Sequence, residues 1–202
     1  MHNARNAAAA LAVASALGLK IPEAAHALAQ TVLPPHRSSP TLVAGRIVLD
    51  DCYNANPASM RAALAAVVVS ASASASPSAS AWRSDKAGAA GNGRPFAILG
   101  DMLETGPDAA ALHRQIGRLA GAQLAGLATI GTLGAEIAGG AREAGLGADF
   151  IIAGDDPAAA AAAIAAWSRP GDWVLVKASR GMRLERAVTA LLEEFRKQPP
   201  LT

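Results

Sequence analysis

Three stretches of the chain place acids, amides and bases at the ends of apolar runs. They are Asp50-Asp51-Cys52-Tyr53-Asn54-Ala55-Asn56-Pro57, Leu99-Gly100-Asp101-Met102-Leu103-Glu104 and Val176-Lys177-Ala178-Ser179-Arg180-Gly181. Carboxylates accept hydrogen bonds from hydroxyls, amides donate and accept, and Lys or Arg meets phosphate or carboxylate. Each stretch also has a plainer reading. An Asp or Asn after a strand often caps the next helix, which applies to Asp101. The Lys177, Ser179 and Arg180 cluster fits a solvated loop, and His113 fits a surface or helix-packing position. Asp50 and Asp51 repel as neighbours, so one of them is expected to turn to solvent. Cys52 is the single cysteine. It excludes a disulfide framework and reads as a small buried apolar residue, because the sequence shows no nearby His or cationic setting that would activate a thiol.

Such groups act together only if the chain positions them together. Apolar runs over 45–51, 94–101, 127–131, 149–153 and 172–177 read as strands. Helical patterns over 57–69, 108–122, 135–144, 157–167 and 184–195 alternate with them. Continuous apolar strands separated by helices predict an α/β fold with a mostly parallel sheet and helices on both faces. In such sheets ligands sit beyond the carboxyl ends of the strands, so the three stretches are expected to converge on one edge. Upstream, 2–18 and 22–29 read as helices, and the prolines of 33–40 read as a linker. Residues 70–93, rich in Ser, Ala and Gly, have too little apolar surface to order themselves and predict a disordered insertion.

Composition narrows the function classes. Hydrophobic residues are 51% of the chain but aromatics only 3%, so the core must rest on alanine and aliphatic side chains. A net charge of +2 without a basic block or basic–aromatic interleaving argues against nucleic acid. No apolar run is long enough for a membrane span, and the N-terminus makes a poor signal peptide. A cytoplasmic location is therefore expected. There is no G-x-x-x-x-G-K-[ST] loop, no G-x-G-x-x-G after a strand and no His/Cys metal spacing. From the residues alone the reading ends at an α/β ligand-binding domain.

A resemblance carries it further. The string Asp50-Asp51-Cys52-Tyr53-Asn54-Ala55-Asn56-Pro57-Ala58-Ser59-Met60 resembles a motif of the Mur ligases. His2-Asn3-Ala4-Arg5-Asn6-Ala7 is similar to the family's H-N-x-x-N-A helix, and Leu99 to Gly106, followed by His113, is similar to L-G-D-M-x-E-L-G. Val176-Lys177-Ala178-Ser179-Arg180 is similar to V-K-G-S-R, with Ala178 where glycine is usual. The resemblance spans nearly the whole chain outside the Ser/Ala-rich insertion.

It implies a three-domain ATP-dependent ligase of peptidoglycan synthesis, in the branch that adds D-alanyl-D-alanine to UDP-N-acetylmuramoyl-tripeptide through an acyl phosphate. Residues 1–36 would be the last helices of the central ATPase domain, and 37–202 the Rossmann-like C-terminal domain. Asn3 and Asn6 would contact adenine, Arg37 the γ-phosphate and Asp51 the ribose hydroxyls. Tyr53, Asn54 and Asn56 would lie near the nucleotide or the dipeptide. Lys177, Ser179 and Arg180 would face the dipeptide or a domain interface. ATP and Mg2+ are the implied cofactors, with most of their ligands in N-terminal and central domains absent here, so the chain alone is expected to be inactive. The alternative is a stand-alone, non-catalytic nucleotide- or partner-binding module.

Overall fold

The computed structural model describes residues 2–31, 34–73 and 93–198, with side chains from Asn6 onward. The chain divides into two compact units, Met1–Pro34 and Pro35–Thr202. The first is a pair of contacting helices, α1 (His2–Ala16) and α2 (Ile21–Ala29). Alanine and leucine favour α1, Gly18 follows it at φ 75°, and Pro22 and Glu23 occupy the first turn of α2. Two short helices offer each other little cover, and Val13, Leu17, Leu19 and Ile21 remain exposed.

The second unit runs β1 (Ser39–Val43), β2 (Arg46–Asp50), α3 (Pro57–Ala73), β3 (Pro95–Gly100), α4 (Ala109–Gly121), β4 (Gly126–Ile130), α5 (Gly134–Glu143), β5 (Ile151–Gly154), α6 (Pro157–Trp167), β6 (Trp173–Lys177) and α7 (Glu185–Lys197). The sheet order is β1-β2-β6-β3-β4-β5, with every pairing parallel except β1 with β2. The α/β expectation with five strand–helix alternations therefore holds. Two local expectations do not. An antiparallel edge strand over Ser39–Val43 starts inside the stretch 33–40 expected to be a linker, and Pro40 is tolerated there because an edge residue can forgo a ladder donor. Helix α3 continues through Ala73, into the segment expected to be disordered; residues 74–92 of that segment lie outside the described residues.

Strand alternation separates two cores. Phe96, Ile98, Val174 and Val176 face α6 and α7, while Ala97, Leu99, Leu127 and Leu175 face α3, α4 and α5. With so few aromatics, the fully buried Phe96 and Phe195 are large anchors, each worth about 3–5 kcal/mol against truncation to alanine. Small residues set the helix spacing elsewhere: a Cβ on Gly117 would lie 2.0 Å from the Ile137 carbonyl oxygen, so α4 and α5 meet backbone to backbone.

This topology determines where a site can form. After β3 the chain passes to α4 on one face, and after β6 it passes to α7 on the other. Neighbouring strands whose exits diverge leave a crevice at their carboxyl ends.

Candidate functional site

The end of β2 turns its two adjacent carboxylates in different directions. Asp50 is 8% exposed. One of its oxygens accepts from His36 Nδ1 at 2.7 Å, and the other accepts from the Cys52 backbone N–H at 3.2 Å and from Cys52 Sγ at 3.0 Å. Asp51 Oδ2 meets Lys177 Nζ at 2.6 Å, and its Oδ1 accepts from the Ser38 N–H at 2.9 Å and the Ser38 hydroxyl at 3.0 Å. Neither acid points freely to solvent, contrary to expectation; each escapes the repulsion by taking its own partners. The arrangement ties the 36–38 loop to the strand end although His36 and Ser38 sit at φ 63° and 50°, a costly backbone region for residues with side chains.

Cys52 does have a histidine nearby, which the sequence did not reveal. His36, Asp50 and Cys52 present ligand atoms within 4.8 Å of one another. Burial and the hydrogen bond to Asp50 push the Cys52 thiol well up from its ordinary range, so it is a protonated donor. A metal would require the thiolate, and the three groups satisfy one another as they stand.

The end of β6 supplies the ammonium that organises the turns. Lys177 is 2% exposed, and Nζ donates to Asp51 Oδ2, to the Asn54 carbonyl at 2.8 Å and to the Asp51 carbonyl at 3.4 Å. All three of its donors are used within the protein. Ser179 donates its hydroxyl to the Ala55 carbonyl at 3.2 Å and accepts from the Leu103 N–H at 2.8 Å, joining the turns after β2 and β3. Lys177 and Ser179 are thus positioning residues in this structure, and Arg180 alone of that cluster stands exposed.

The turn after β3 is fixed from below. His113 is fully buried; its Nδ1 donates to the Ala109 carbonyl at 2.6 Å, and its Nε2 accepts from the Met102 N–H at 2.8 Å. It is neither a surface residue nor mere packing, a role that sequence position alone does not show. Asp101 acts as a cap, but of a distant helix: Oδ1 accepts from the Leu133 N–H, just ahead of α5, at 3.1 Å. The turn then presents Glu104 at φ 62°.

The three turns enclose a cleft of about 520 Å³ lined by Asn54 to Pro57, Leu103 to Thr105, Leu112 and Ser179 to Gly181. Asn56 lines it while capping α3 through the Ser59 N–H, which its Oδ1 accepts at 2.8 Å; Asn54 Oδ1 accepts from the Ala55 N–H. Beside the cleft, the guanidinium carbons of Arg37 and Arg180 lie 3.9 Å and 5.8 Å from the centroid of the half-exposed Tyr53 ring. Among the described residues, neither arginine has a carboxylate partner. The structure therefore brings together Arg37, Asp51, Tyr53, Asn54, Asn56, Lys177, Ser179 and Arg180. Asn6 is an exposed residue of the separate helical unit, and the Asn3 side chain lies outside the described residues.

The fit of these residues to a nucleotide is uneven. Arg37 is free to meet a phosphate. Asp51 is already committed at both oxygens, which leaves Oδ2 able to accept one further hydroxyl rather than clasp a pair. The one metal-like cluster among the described residues contains a thiol and an imidazole, not the oxygen set that Mg2+ prefers.

The class of protein is an open, mostly parallel α/β domain with a cleft and two exposed guanidinium groups at the carboxyl edge of its sheet. The family model described as "Mur ligase, glutamate ligase domain" matches residues 67–180, and the chain belongs to the Mur ligase family. It is 38% identical over 211 aligned positions to a curated UDP-N-acetylmuramoyl-tripeptide--D-alanyl-D-alanine ligase of Mycobacterium tuberculosis strain H37Rv, covering 96% of this chain and 38% of that protein. A protein of the same name from Mycobacterium leprae is 37% identical over 189 positions, covering 91% of this chain and 35% of the relative. The chain thus spans little more than a third of these relatives. The crystal structure of MurF from Acinetobacter baumannii matches with a TM-score of 0.73 and 27% identity, over 95% of this chain and 37% of that one.

Proposed function

We propose that this chain is the C-terminal part of an ATP-dependent ligase that joins D-alanyl-D-alanine to UDP-N-acetylmuramoyl-tripeptide. The observation that carries this reading is that two curated ligases of that name align with more than nine-tenths of the chain. The edge geometry supports it. Arg37 stands free to meet charge developing on a transferring phosphoryl group, a contact that favours the transition state over the ground state. Lys177, Asp51 and Ser179 hold the turns so that Arg37 and Arg180 present their charge from a fixed frame. The γ-phosphoryl group of ATP passes, on this reading, to the tripeptide carboxylate with release of ADP, and the dipeptide amine then attacks the acyl phosphate, forming the amide and releasing phosphate. On this reading residues 1–36 are the last helices of a central ATPase domain and 37–202 the C-terminal domain. The exposed Val13, Leu17, Leu19 and Ile21 suit a helix pair whose packing partners belong to such a domain. Asn3 and Asn6 would reach adenine from there, and the Mg2+ ligands and phosphate loop would come from the same upstream part. A cytoplasmic setting follows from those substrates.

A second reading, a non-catalytic nucleotide- or partner-binding module, draws on the lack of a phosphate-loop motif in the sequence. One experiment separates the two. The chain is joined to the UDP-sugar and ATPase domains of a relative, and phosphate release is followed with the tripeptide precursor, D-alanyl-D-alanine and ATP. The ligase reading expects release that requires all three substrates, and none from the chain alone. Failure of the joined protein to use the dipeptide, with its upstream domains shown to bind ATP, supports the module.

A further inference from the structure

The end of β2 gathers an imidazole, a carboxylate and a thiol whose ligand atoms all lie within 4.8 Å of one another: His36, Asp50 and Cys52. Asp50 sits between the other two, 2.7 Å from His36 Nδ1 and 3.0 Å from Cys52 Sγ. Cys52 packs in the same core cluster as Leu184, Ala187 and Val188, at the start of α7. Glu185 is the first residue of that helix. Its Oε2 is buried and has no hydrogen-bond partner, and its charge acts on the Cys52 thiol. Among the described residues, Asp50 has only His36 as an ion-pair partner and Glu185 has none. A buried carboxylate oxygen without a donor is costly, and an ion can supply what it lacks.

We propose that His36 Nδ1, Asp50 and Cys52 Sγ bind a thiophilic divalent cation of the zinc class, with the Glu185 side chain turning in to complete the set. The donors select the metal. Thiolate and imidazole suit zinc and its neighbours, whereas magnesium and calcium take oxygen. Zinc bonds of about 2.0–2.3 Å put tetrahedral ligands roughly 3.3–3.6 Å apart, so the cluster needs to close by only about an ångström. The His36 side chain is 30% exposed, which gives the cation a way in.

Binding replaces one proton. The cation takes the place of the thiol proton, which leaves to solvent. The neutral imidazole moves its Nδ1 proton to Nε2 and offers the freed lone pair. In the metal-free molecule burial and the neighbouring acids keep Cys52 protonated. Those same acids attract a dication in the proton's place. The bound ion would pin the loop that carries Arg37 to the strand end and to α7. None of this depends on the ligase reading, because every ligand belongs to the α/β unit.

The test uses the full chain, reduced and stripped of metal. Cys52 is the only cysteine, so a thiolate-to-cobalt charge-transfer band reports this residue alone. On titration with Co2+ the band should saturate at a single ion per chain, disappear when Zn2+ is added, and be lost in denaturant. His36→Ala and Glu185→Gln, each checked for folding by circular dichroism, should weaken Co2+ binding by roughly tenfold or more. Zn2+ should raise the Tm of the parent chain and leave that of Cys52→Ser where it was. No band from the folded chain in excess Co2+ overturns the proposal. So does undiminished Co2+ affinity in either folded variant, which would mean that the thiolate takes metal without the cluster.

Discussion

Among the described residues of the α/β unit, four arginines sit over aromatic rings, and the two ends of the sheet treat them differently. At the amino ends of the strands, Arg94 stacks on Phe96 and pairs with Asp172 at 2.8 Å, while also donating to the Trp167 carbonyl. Arg46 stacks on Phe195 and donates to the Ala44 and Ser168 carbonyls and to Gln198. At the carboxyl ends, Arg37 and Arg180 share Tyr53, and neither has an acceptor among the described residues. The same group closes one end of the sheet and is left available at the other. Backbone strain does not follow this division: His36, Ser38, Glu104 and Arg183 lie at positive φ towards the carboxyl ends, and Ala44 does so at the amino end of β2. Arg46 and Arg94 are held by acceptors of the fold through their terminal nitrogens, although the buried Nε of each has no partner, whereas Arg37 and Arg180 keep their donors available to an anion.

The contrast can be broken first at Asp172. Its carboxylate is 1% exposed and accepts from the Arg94 side chain and from the Arg94 and Arg169 N–H groups. Asp172→Ala should cost about 3 kcal/mol in denaturant unfolding, because it strands buried donors. A loss below 1 kcal/mol would mean that the amino end is not held as described. His113→Leu should cost about 2 kcal/mol by leaving the Met102 N–H unsatisfied, and it should broaden the amide signals of 102–105; sharp, unmoved signals there would argue against His113 as the brace of the turn. Glu104→Gly runs the other way. Relief of the left-handed strain should raise stability by about 1 kcal/mol, and a decrease would show that the glutamate contributes more to the fold than its contacts suggest. The smallest effects belong to Arg37→Ala and Arg180→Ala, each expected within about 0.5 kcal/mol of the parent.

Much of this fold was legible because its strands are continuously apolar and its helices are punctuated by Gly and Pro. Helix α6 begins at Pro157 with Asp156 capping the Ala158 N–H and ends at Trp167, the bounds that pattern predicts. Strand β1 was hidden because Pro40 reads as a breaker in a proline-rich stretch, and only its place at the sheet edge makes it tolerable. The members of the site were legible as residue types at strand ends, but their division of labour was not. Nothing in Val176-Lys177-Ala178-Ser179-Arg180 says that Lys177 and Ser179 turn inward to brace the turns while Arg180 stays out; that depends on the crossing of β6 between β2 and β3. Glu104 was visible as the end of one of the three stretches, but its backbone conformation was not. Its φ of 62° and its place in the cleft wall come from the fold and are not properties of local sequence. The His36–Asp50 bond spans 14 residues and likewise needs the fold before it can be seen.

The most direct test of the account is kcat of the joined ligase carrying Arg37→Ala, measured beside its folding stability. If the arginine left free at the carboxyl edge serves the phosphoryl group, kcat should fall on the order of 10²-fold, with unfolding within about 0.5 kcal/mol of the parent. An unchanged kcat, or a loss of stability as large as that expected for Asp172→Ala, would contradict the division between the two ends of the sheet.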